Sequence, residues 1–397
     1  MTHSSVTTPP FDGHGEEPGS PRARVWAQIV DQHAFWIAVN PVQGCPKGCA
    51  YCFLRHRGQT RVAPVRLCSP REAVQMLLAS DLYAPERAVA WFTWTDVMAT
   101  ASSRRYLHEV LTELAERAAT NTTVLITKCE IPEETVGQIV AARASGVPVV
   151  VYLSYSGLGA DVEVGIRHEA ALGNFARLHE AGVPIVHYWR PALPASATPQ
   201  IMARVLDIAA RYATCTVAAG LKVEPADRER LTGLWPELAD LEGAERAEGV
   251  YPQAFWDFIH GPAPRALDHP LFHTNSCALA LVREQTDRFG VHGSPVCAQR
   301  NRCPAAQRDR CAAAKTGAPT SQQVRSALTH RGLDGLAFTF DAARRLLILH
   351  GQASTRVASA LTQDLRLRVQ TDGQGPDTYW SSGTTGARPM IVSGGEQ

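Results

Sequence analysis

Three closely spaced cysteines are the residues in this sequence best suited to chemistry. Cys45, Cys49 and Cys52 have the spacing C-x3-C-x2-C, on a segment that also contains Gly44 and Gly48. Thiolates are soft ligands that favour iron–sulfur clusters or zinc. Structural zinc sites more often use cysteine pairs separated by a long spacer, so this spacing favours a [4Fe–4S] cluster. Zinc with a further ligand, and unrelated buried thiols, remain alternatives.

Such a cluster has four irons, and this segment supplies only three thiolates. One iron is therefore left for a ligand that is not cysteine. Basic residues surround the segment, namely Lys47, Arg55, His56 and Arg57. Their charge would favour the thiolate forms, or they form a solvated edge.

The segment 39–53, which reads VNPVQGCPKGCAYCF, resembles the cluster loop of the radical S-adenosylmethionine (SAM) superfamily. More narrowly, it is similar to the branch that contains spore photoproduct lyase. The resemblance implies that the open iron binds SAM. It further implies that reductive cleavage of SAM gives a 5′-deoxyadenosyl radical, which abstracts hydrogen from a substrate. The electron would come from an external one-electron reductant such as flavodoxin or ferredoxin.

The composition is that of an ordinary globular protein. The chain has 397 residues, 45% of them hydrophobic and 19% charged, with a net charge of +1. No global field therefore favours nucleic acid. The polar N-terminal stretch lacks a secretory pattern, and no run approaches the roughly 18 apolar residues of a membrane span. We expect a cytoplasmic protein that uses its ten cysteines for metal or redox chemistry, not for disulfides.

Strand and helix patterns alternate along the first half of the chain and would position the cysteine segment. Short apolar runs predict six strands, at 35–39, 88–92, 123–126, 147–153, 184–188 and 214–218. Helical patterns between them fall at 69–78, 103–119, 132–144, 167–181 and 199–212. Six βα units predict a parallel wound sheet with right-handed crossovers, although periodicity alone does not separate an open sheet from a barrel. The resemblance implies a partial (β/α)6 TIM-like barrel with the site at the carboxyl ends of its strands.

Polar residues after the second and fourth strands are the candidate SAM contacts. By resemblance, these are Thr95, Asp96 and Ser154. The Gly-Gly-Glu motif of the wider superfamily is absent after the second strand, and Thr95-Asp96 is closer to the photoproduct lyase branch.

Cys129 is the candidate hydrogen donor. Spore photoproduct lyase has a donating cysteine just before its Thr-Ser-Asp motif, whereas Thr93 and Trp94 occupy those places here. Cys129 follows the third strand, and we hypothesise that it donates hydrogen to a substrate radical. A buried structural thiol is the alternative.

A second group of cysteines follows later in the chain, with the spacing C-x19-C-x5-C-x7-C. Its members are Cys277, Cys297, Cys303 and Cys311. Four thiolates suit a closed metal site, and a second [4Fe–4S] cluster is the first interpretation. Structural zinc and unliganded thiols are the alternatives, and His273 or His292 would be a substitute ligand.

We predict four segments: a disordered tail at 1–24, a radical SAM core at 25–222, a helical and cysteine-rich auxiliary region at 223–317, and a small α+β region at 318–397 that contains a hairpin and a flexible tail.

The predicted substrate is a small molecule or a peptide, which would undergo dehydrogenation, epimerisation or rearrangement. Nucleic-acid lesion repair is less favoured because of the missing donor cysteine and the low net charge. The alternative from another class is a non-catalytic iron–sulfur or zinc protein that binds nucleic acid or transfers electrons. The open iron position argues against it, because an electron carrier gains from four protein ligands.

Overall fold

The computed structural model describes residues 26–287, 297, 302–313, 317–371 and 389–393. Its strands are β1 Val30–Gln32, β2 Ile37–Val39, β3 Val42–Gln43, β4 Gly48–Cys49, β5 Val65–Arg66, β6 Val89–Trp91, β7 Thr123–Thr127, β8 Val149–Ser154, β9 Glu163–Val164, β10 Ile185–Ala192, β11 Cys215–Gly220, β12 Val250–Pro252, β13 Leu271–Phe272, β14 Ala337–Asp341, β15 Leu346–His350, β16 Arg368–Thr371 and β17 Met390–Val392. The predicted disordered tail at 1–24 lies outside the described residues.

Twelve α-helices are described alongside these strands. They are α1 Pro70–Leu78, α2 Ala101–Glu116, α3 Glu133–Ala144, α4 His168–Glu180, α5 Pro199–Tyr212, α6 Arg228–Thr232, α7 Gln253–His260, α8 Ala263–Ala266, α9 Asn275–Val282, α10 Ala305–Ala313, α11 Ser321–His330 and α12 Thr355–Leu365. None of the described helices is long and apolar enough to cross a membrane.

The fold is α/β, built on a mostly parallel sheet of eight strands. Their order is β1-β2-β6-β7-β8-β10-β11-β13, and all pairs except β1 with β2 are parallel. Each parallel strand therefore lies beside the next one in the chain, which is the arrangement that successive βα units produce. The two edge strands β1 and β13 are not paired with each other, so the sheet is open and not a closed barrel.

All six predicted strands are present, and two further strands of the sheet were missed. β1 carries Asp31 and Gln32, so its composition gave no apolar signal. β13 has only two residues and pairs with β11 through Thr216 and Val217. Both strands depend on the sheet beside them rather than on their own sequence pattern.

The helices match their predicted positions, with shifts that capping explains. At α1, the Ser69 side chain accepts the N–H of Glu72 in the predicted capping box. α2 begins earlier than predicted because Thr100 caps it, and it ends before Ala118, whose φ is 50°. Pro132 is the N-cap of α3 and does not lie in its first turn.

Alternate residues of the central strands pack on opposite faces of the sheet, as strand geometry requires. Val89 and Trp91 of β6 belong to the apolar core that α1 to α4 cover. Ala90 between them belongs to a second core, which contains Trp36 and residues of α9. The sheet is therefore buried on both faces and positions its strand ends rigidly.

The C-terminal part of the chain forms a smaller unit. The predicted hairpin is present as β14 and β15, and β16 adds a parallel strand that was not predicted. This sheet packs with α11 and α12 around its own apolar core. The boundaries of the four predicted segments stay predictions.

Candidate active site

The Cys45–Cys52 segment leaves the sheet after β2 and is held from two sides. The N–H of Cys45 donates to Gln59 O at 2.8 Å. β4, which contains Cys49, pairs with β9 in antiparallel register. Gly44 has a φ of +90°, and a Cβ there would lie 3.2 Å from Ala63 O, so the turn into the segment requires glycine. The backbone alone thus fixes where the cysteines lie.

The three cysteine sulfurs are neighbours, but they are not close enough together to bind one metal ion. Cys45 and Cys49 are buried and Cys52 is half-buried. The charge of Cys52 raises the pKa of both other thiols after burial, so the three are electrostatic neighbours. A single zinc ion would hold its sulfurs roughly 3.8 Å apart, given bonds of about 2.3 Å. The three sulfurs do not all lie within 4.8 Å of one another, and among the described residues His56, Glu224 and Asp227 form the group that does.

Burial controls the protonation of these thiols. It raises the pKa of Cys45 to about 12, although the backbone N–H groups of Lys47 and Asp96 donate to its sulfur and lower that pKa. It also raises the pKa of Cys49 to about 12, against the lowering effect of Lys128. Metal or cluster binding must therefore displace protons from the thiols.

Two of the basic residues near the segment, His56 and Arg57, pair with carboxylates. His56 Nδ1 lies 2.8 Å from Asp227 Oδ2, and Arg57 Nη2 lies 2.9 Å from Glu224 Oε2. Whether their charge also favours the thiolates stays a prediction. Burial raises the pKa of Cys52, and the positive charges of Arg190 and Arg230 partly offset that effect.

A strained turn at the end of β6 presents Thr95 and Asp96. Phe92 has a φ of 62°, a conformation that bulky residues rarely adopt and that is common near functional sites. Thr95 is 7% exposed, and its Oγ1 has no hydrogen-bond partner among the described residues. The Asp96 carboxylate instead accepts from Thr127 Oγ1 at 2.7 Å and from the N–H of Lys128 at 2.8 Å. Asp96 thus fixes the start of the loop after β7.

Cys129 lies in that same loop and is buried. Burial raises the pKa of its thiol, and the neighbouring Asp96 and Cys45 raise it further. The thiol is consequently protonated at neutral pH and lies near the cysteine segment. Hydrogen donation and a structural role both stay predictions.

A buried charge network joins three strand ends beneath the cysteines, and the sequence analysis did not identify it. Lys128 Nζ lies 2.8 Å from Glu163 Oε1, 3.1 Å from Arg190 O and 3.4 Å from Ser154 O. Glu163 is 1% exposed and also accepts the hydroxyl of Tyr51. No motif marks Glu163, which lies on the two-residue strand β9 opposite Cys49 of β4, so only its burial and pairing identify it.

Ser154 is half-buried at the end of β8. Its hydroxyl is 3.5 Å from Arg190 O, which is a weak hydrogen bond. Its assignment as a SAM contact stays a prediction, as do those of Thr95 and Asp96.

The four later cysteines also come together. Burial raises the pKa of Cys277, and the nearby thiols of Cys297 and Cys303 raise it further. Burial also raises the pKa of Cys311, and Cys297 again adds to the effect. Burial raises the pKa of Cys303 to about 11. No three of these described sulfurs lie within 4.8 Å of one another, which again differs from a single-ion site.

Of the two alternative histidine ligands, the structure describes His273 alone. His273 packs its ring against Tyr251, Trp256 and His260. His292 lies outside the described residues.

A cleft of about 690 Å³, including space open to solvent, lies beside the carboxyl ends of β10 and β11 and is lined by Tyr188, Arg190, Ala219 and Gly220 among others. Its lining includes Arg190, whose charge acts on Cys52, and Asn275, which begins the helix that carries Cys277. Both groups of thiols are thus close to one concave surface.

Comparisons with known proteins found similarity in solved structures only. No family model and no curated protein matches the chain. One similar structure is spore photoproduct lyase with bound AdoMet and dinucleoside spore photoproduct, at 14% identity, 51% coverage of this chain, 61% of that chain and a TM-score of 0.42. Another is Streptococcus suis SuiB bound to S-adenosylmethionine, at 14% identity, 47% and 41% coverage and a TM-score of 0.37. This chain spans less than two thirds of either structure.

Proposed function

We propose that this protein is a radical SAM enzyme in which Cys45, Cys49 and Cys52 hold a [4Fe–4S] cluster. The observation that carries the proposal is the gathering of three cysteine thiols, two buried and one half-buried, where their segment leaves the carboxyl end of a parallel strand. When bound, the cluster supplies one electron to SAM, and the resulting 5′-deoxyadenosyl radical abstracts a hydrogen atom from the substrate.

The residues around the cysteines fit this assignment. Thiolates are the ligands that iron–sulfur clusters require, and backbone N–H groups already point at the Cys45 sulfur. The buried Thr95 hydroxyl lacks a partner among the described residues, and its neighbours Trp94 and Asp96 both contact the cysteine segment. A SAM molecule at this position would give that hydroxyl a hydrogen bond.

The remaining charged side chains of the site hold the surrounding loops and strand ends in place. Asp96 holds the loop after β7 through the N–H of Lys128. Lys128 and Glu163 then hold the ends of β8 and β10 beneath the cysteines. This preorganised shell keeps bound groups in a fixed geometry and limits the access of water.

We propose a second [4Fe–4S] cluster at Cys277, Cys297, Cys303 and Cys311, with structural zinc as the alternative. The proposal is supported by the mutual effects of these thiols, since Cys297 acts on the pKa of both Cys277 and Cys311 after burial raises each of them.

The reductant would be an external one-electron carrier such as flavodoxin or ferredoxin. All ten cysteines are free thiols, which suits the reducing cytoplasm. The substrate we propose is a small molecule or peptide, and nucleic-acid repair remains the second candidate.

One experiment tests the activity. Anaerobically reconstituted, reduced protein should convert SAM to 5′-deoxyadenosine, and its reduced-cluster spectrum should change when SAM is added. An iron–sulfur protein without this function would show the cluster but neither effect. Loss of both effects in a Cys49→Ser variant would tie them to the proposed site.

A further inference from the structure

One arginine of the short helix α6 lies against the first cysteine segment. Arg230 Nη2 is 3.5 Å from the carbonyl oxygen of Cys52, which is a weak contact. Arg230 Nη1 is buried and has no hydrogen-bond partner among the described residues. Buried polar groups of this kind are rare, because they lose the hydrogen bonds that water would give them. The guanidinium is therefore held beside Cys52 with one of its donors unused by the described part of the chain.

The Asp227 carboxylate fixes the position of this guanidinium. Asp227 is 2% exposed, and its Oδ1 accepts from Arg230 Nε at 3.0 Å and from Arg230 Nη2. Its other oxygen, Oδ2, lies 2.8 Å from Nδ1 of His56, which follows the cysteine segment in the chain. Asp227 thus joins Arg230 to the segment itself, and the guanidinium does not move away without loss of these bonds.

The charges of this ion pair do not cancel at the Cys52 sulfur. Burial raises the pKa of the Cys52 thiol, and the positive charges of Arg190 and Arg230 lower it. The negative charge of Asp227 raises that pKa again, but by less than Arg230 lowers it. The pair of Arg230 and Asp227 thus presents its positive end to the sulfur.

We propose that Arg230 raises the reduction potential of the cluster held by Cys52, and that Asp227 is the residue that positions it. Reduction takes one electron from an external one-electron reductant and adds one negative charge to the cluster. A fixed positive charge beside a ligand favours the reduced form, since cluster potentials depend on nearby charge and on hydrogen bonds. The inference rests on the proposed cluster at Cys45, Cys49 and Cys52, and not on SAM cleavage or on the substrate.

A redox titration of the anaerobically reconstituted protein tests the proposal, with electron paramagnetic resonance as the readout and without SAM. The signal that a Cys49→Ser variant lacks belongs to the first cysteine group. Arg230→Met should lower the midpoint potential of that signal by at least about 59 mV, which is a tenfold smaller equilibrium constant for one-electron reduction. Arg230→Lys keeps the positive charge and should restore most of this loss.

An Asp227→Asn variant should shift the midpoint in the opposite direction. The amide oxygen still accepts from Arg230, whereas the negative charge is removed, so the potential should rise. General loosening of the segment would move both variants the same way. Arg228→Met is the matched control, because Arg228 lies on the same helix and pairs with Glu245, and it should leave the midpoint unchanged.

Three results would overturn the inference: shifts of the same sign in Arg230→Met and Asp227→Asn, an unshifted midpoint in either, or an equal shift in Arg228→Met. If Arg230→Met does not assemble the cluster, the sign of the shift in Asp227→Asn decides alone. A Cys49→Ser variant that keeps every wild-type signal would refute the proposed function itself. The failure of the inference and the failure of the proposed function are thus distinguished.

Discussion

The two cysteine groups are built in different ways. Cys45, Cys49 and Cys52 share one short segment, which strand pairing and backbone hydrogen bonds hold in place. The later cysteines come from separate places, with Cys277 on α9 and Cys311 on α10. Their described sulfur contacts include Asp287 N–H and Gln307 Nε2, at 3.4 and 3.3 Å from Cys311 Sγ. The first group is held within one short segment of backbone, whereas the second is assembled from residues of separate helices.

The largest expected effect concerns the first group. A Cys49→Ser change removes one of three ligands and should lower 5′-deoxyadenosine formation at least about a hundredfold, the upper limit of effects seen for outer-shell partners of metal sites. Anaerobic turnover with chromatographic detection measures this. A Cys303→Ala variant is the control from the second group and should still cleave SAM. Equal loss in both variants would erase the proposed difference between the groups.

The second prediction concerns how much iron each of the two cysteine groups binds. We expect about eight irons per chain in the wild type and about four in a Cys303→Ala, Cys311→Ala double variant. Hydrogen exchange should rise at α10 in that variant and stay unchanged at β4, because β4 is held by strand pairing. About four irons with one zinc in the wild type would assign zinc to the second group.

The buried pair beneath the first group should contribute to stability. Lys128→Met would leave the Glu163 carboxylate, 1% exposed, without its cation and should lower the free energy of unfolding by about 3–5 kcal/mol. Chemical denaturation measures the change. The exposed pair of Arg211 and Asp207, 3.2 Å apart, provides a matched control, and Arg211→Met should cost under about 1 kcal/mol. Similar losses in the two variants would contradict this role.

The last expected effect is a pH dependence of the stability that comes from the buried ring of His187. Burial lowers the pKa of His187 to about 3, and the ring bonds Thr216 Oγ1 at 3.0 Å and Tyr155 O at 2.8 Å. The pKa of His187 in the unfolded chain is near 6.5. The stability that the neutral, buried ring contributes is therefore fully present above that pH. As the pH falls from about 6.5 towards 3, the free energy of unfolding decreases by about 1.4 kcal/mol per pH unit, because the unfolded chain binds a proton at His187 that the folded protein does not.

Unfolding midpoints between pH 7 and 5 check this dependence. A His187→Asn variant should show a shallower slope than the wild type, even if it is less stable overall. Identical slopes would mean that His187 is not neutral in the folded protein.

Local signals in the sequence were sufficient for most of the fold. The capping box at Ser69 and the apolar runs of the central strands depend on neighbouring residues alone, and the structure has them where predicted. β1 and β13 have too little apolar sequence of their own, so only the adjacent strands define them.

The site could be predicted only where spacing carries information. The two cysteine spacings identified their groups, whereas Glu163 lies on the short strand β9 without a motif and acquires its importance from burial beside Lys128. The cleft was missed for the same reason, since Trp36, Lys222 and Asn275 are far apart in sequence. Contacts of that kind are set by packing, which no local pattern records.

The position of α12 against β1 has a consequence for the behaviour of the whole molecule. β1 is an edge strand, and unpaired edges of this kind are templates for pairing with other chains. Here Arg356 joins Asp31 of β1 at 2.9 Å, and Arg87 pairs with Asp364 of α12. With α12 packed beside it, β1 is less accessible for pairing with another chain, and we expect a chain shortened before α12 to aggregate more readily, as light scattering would measure.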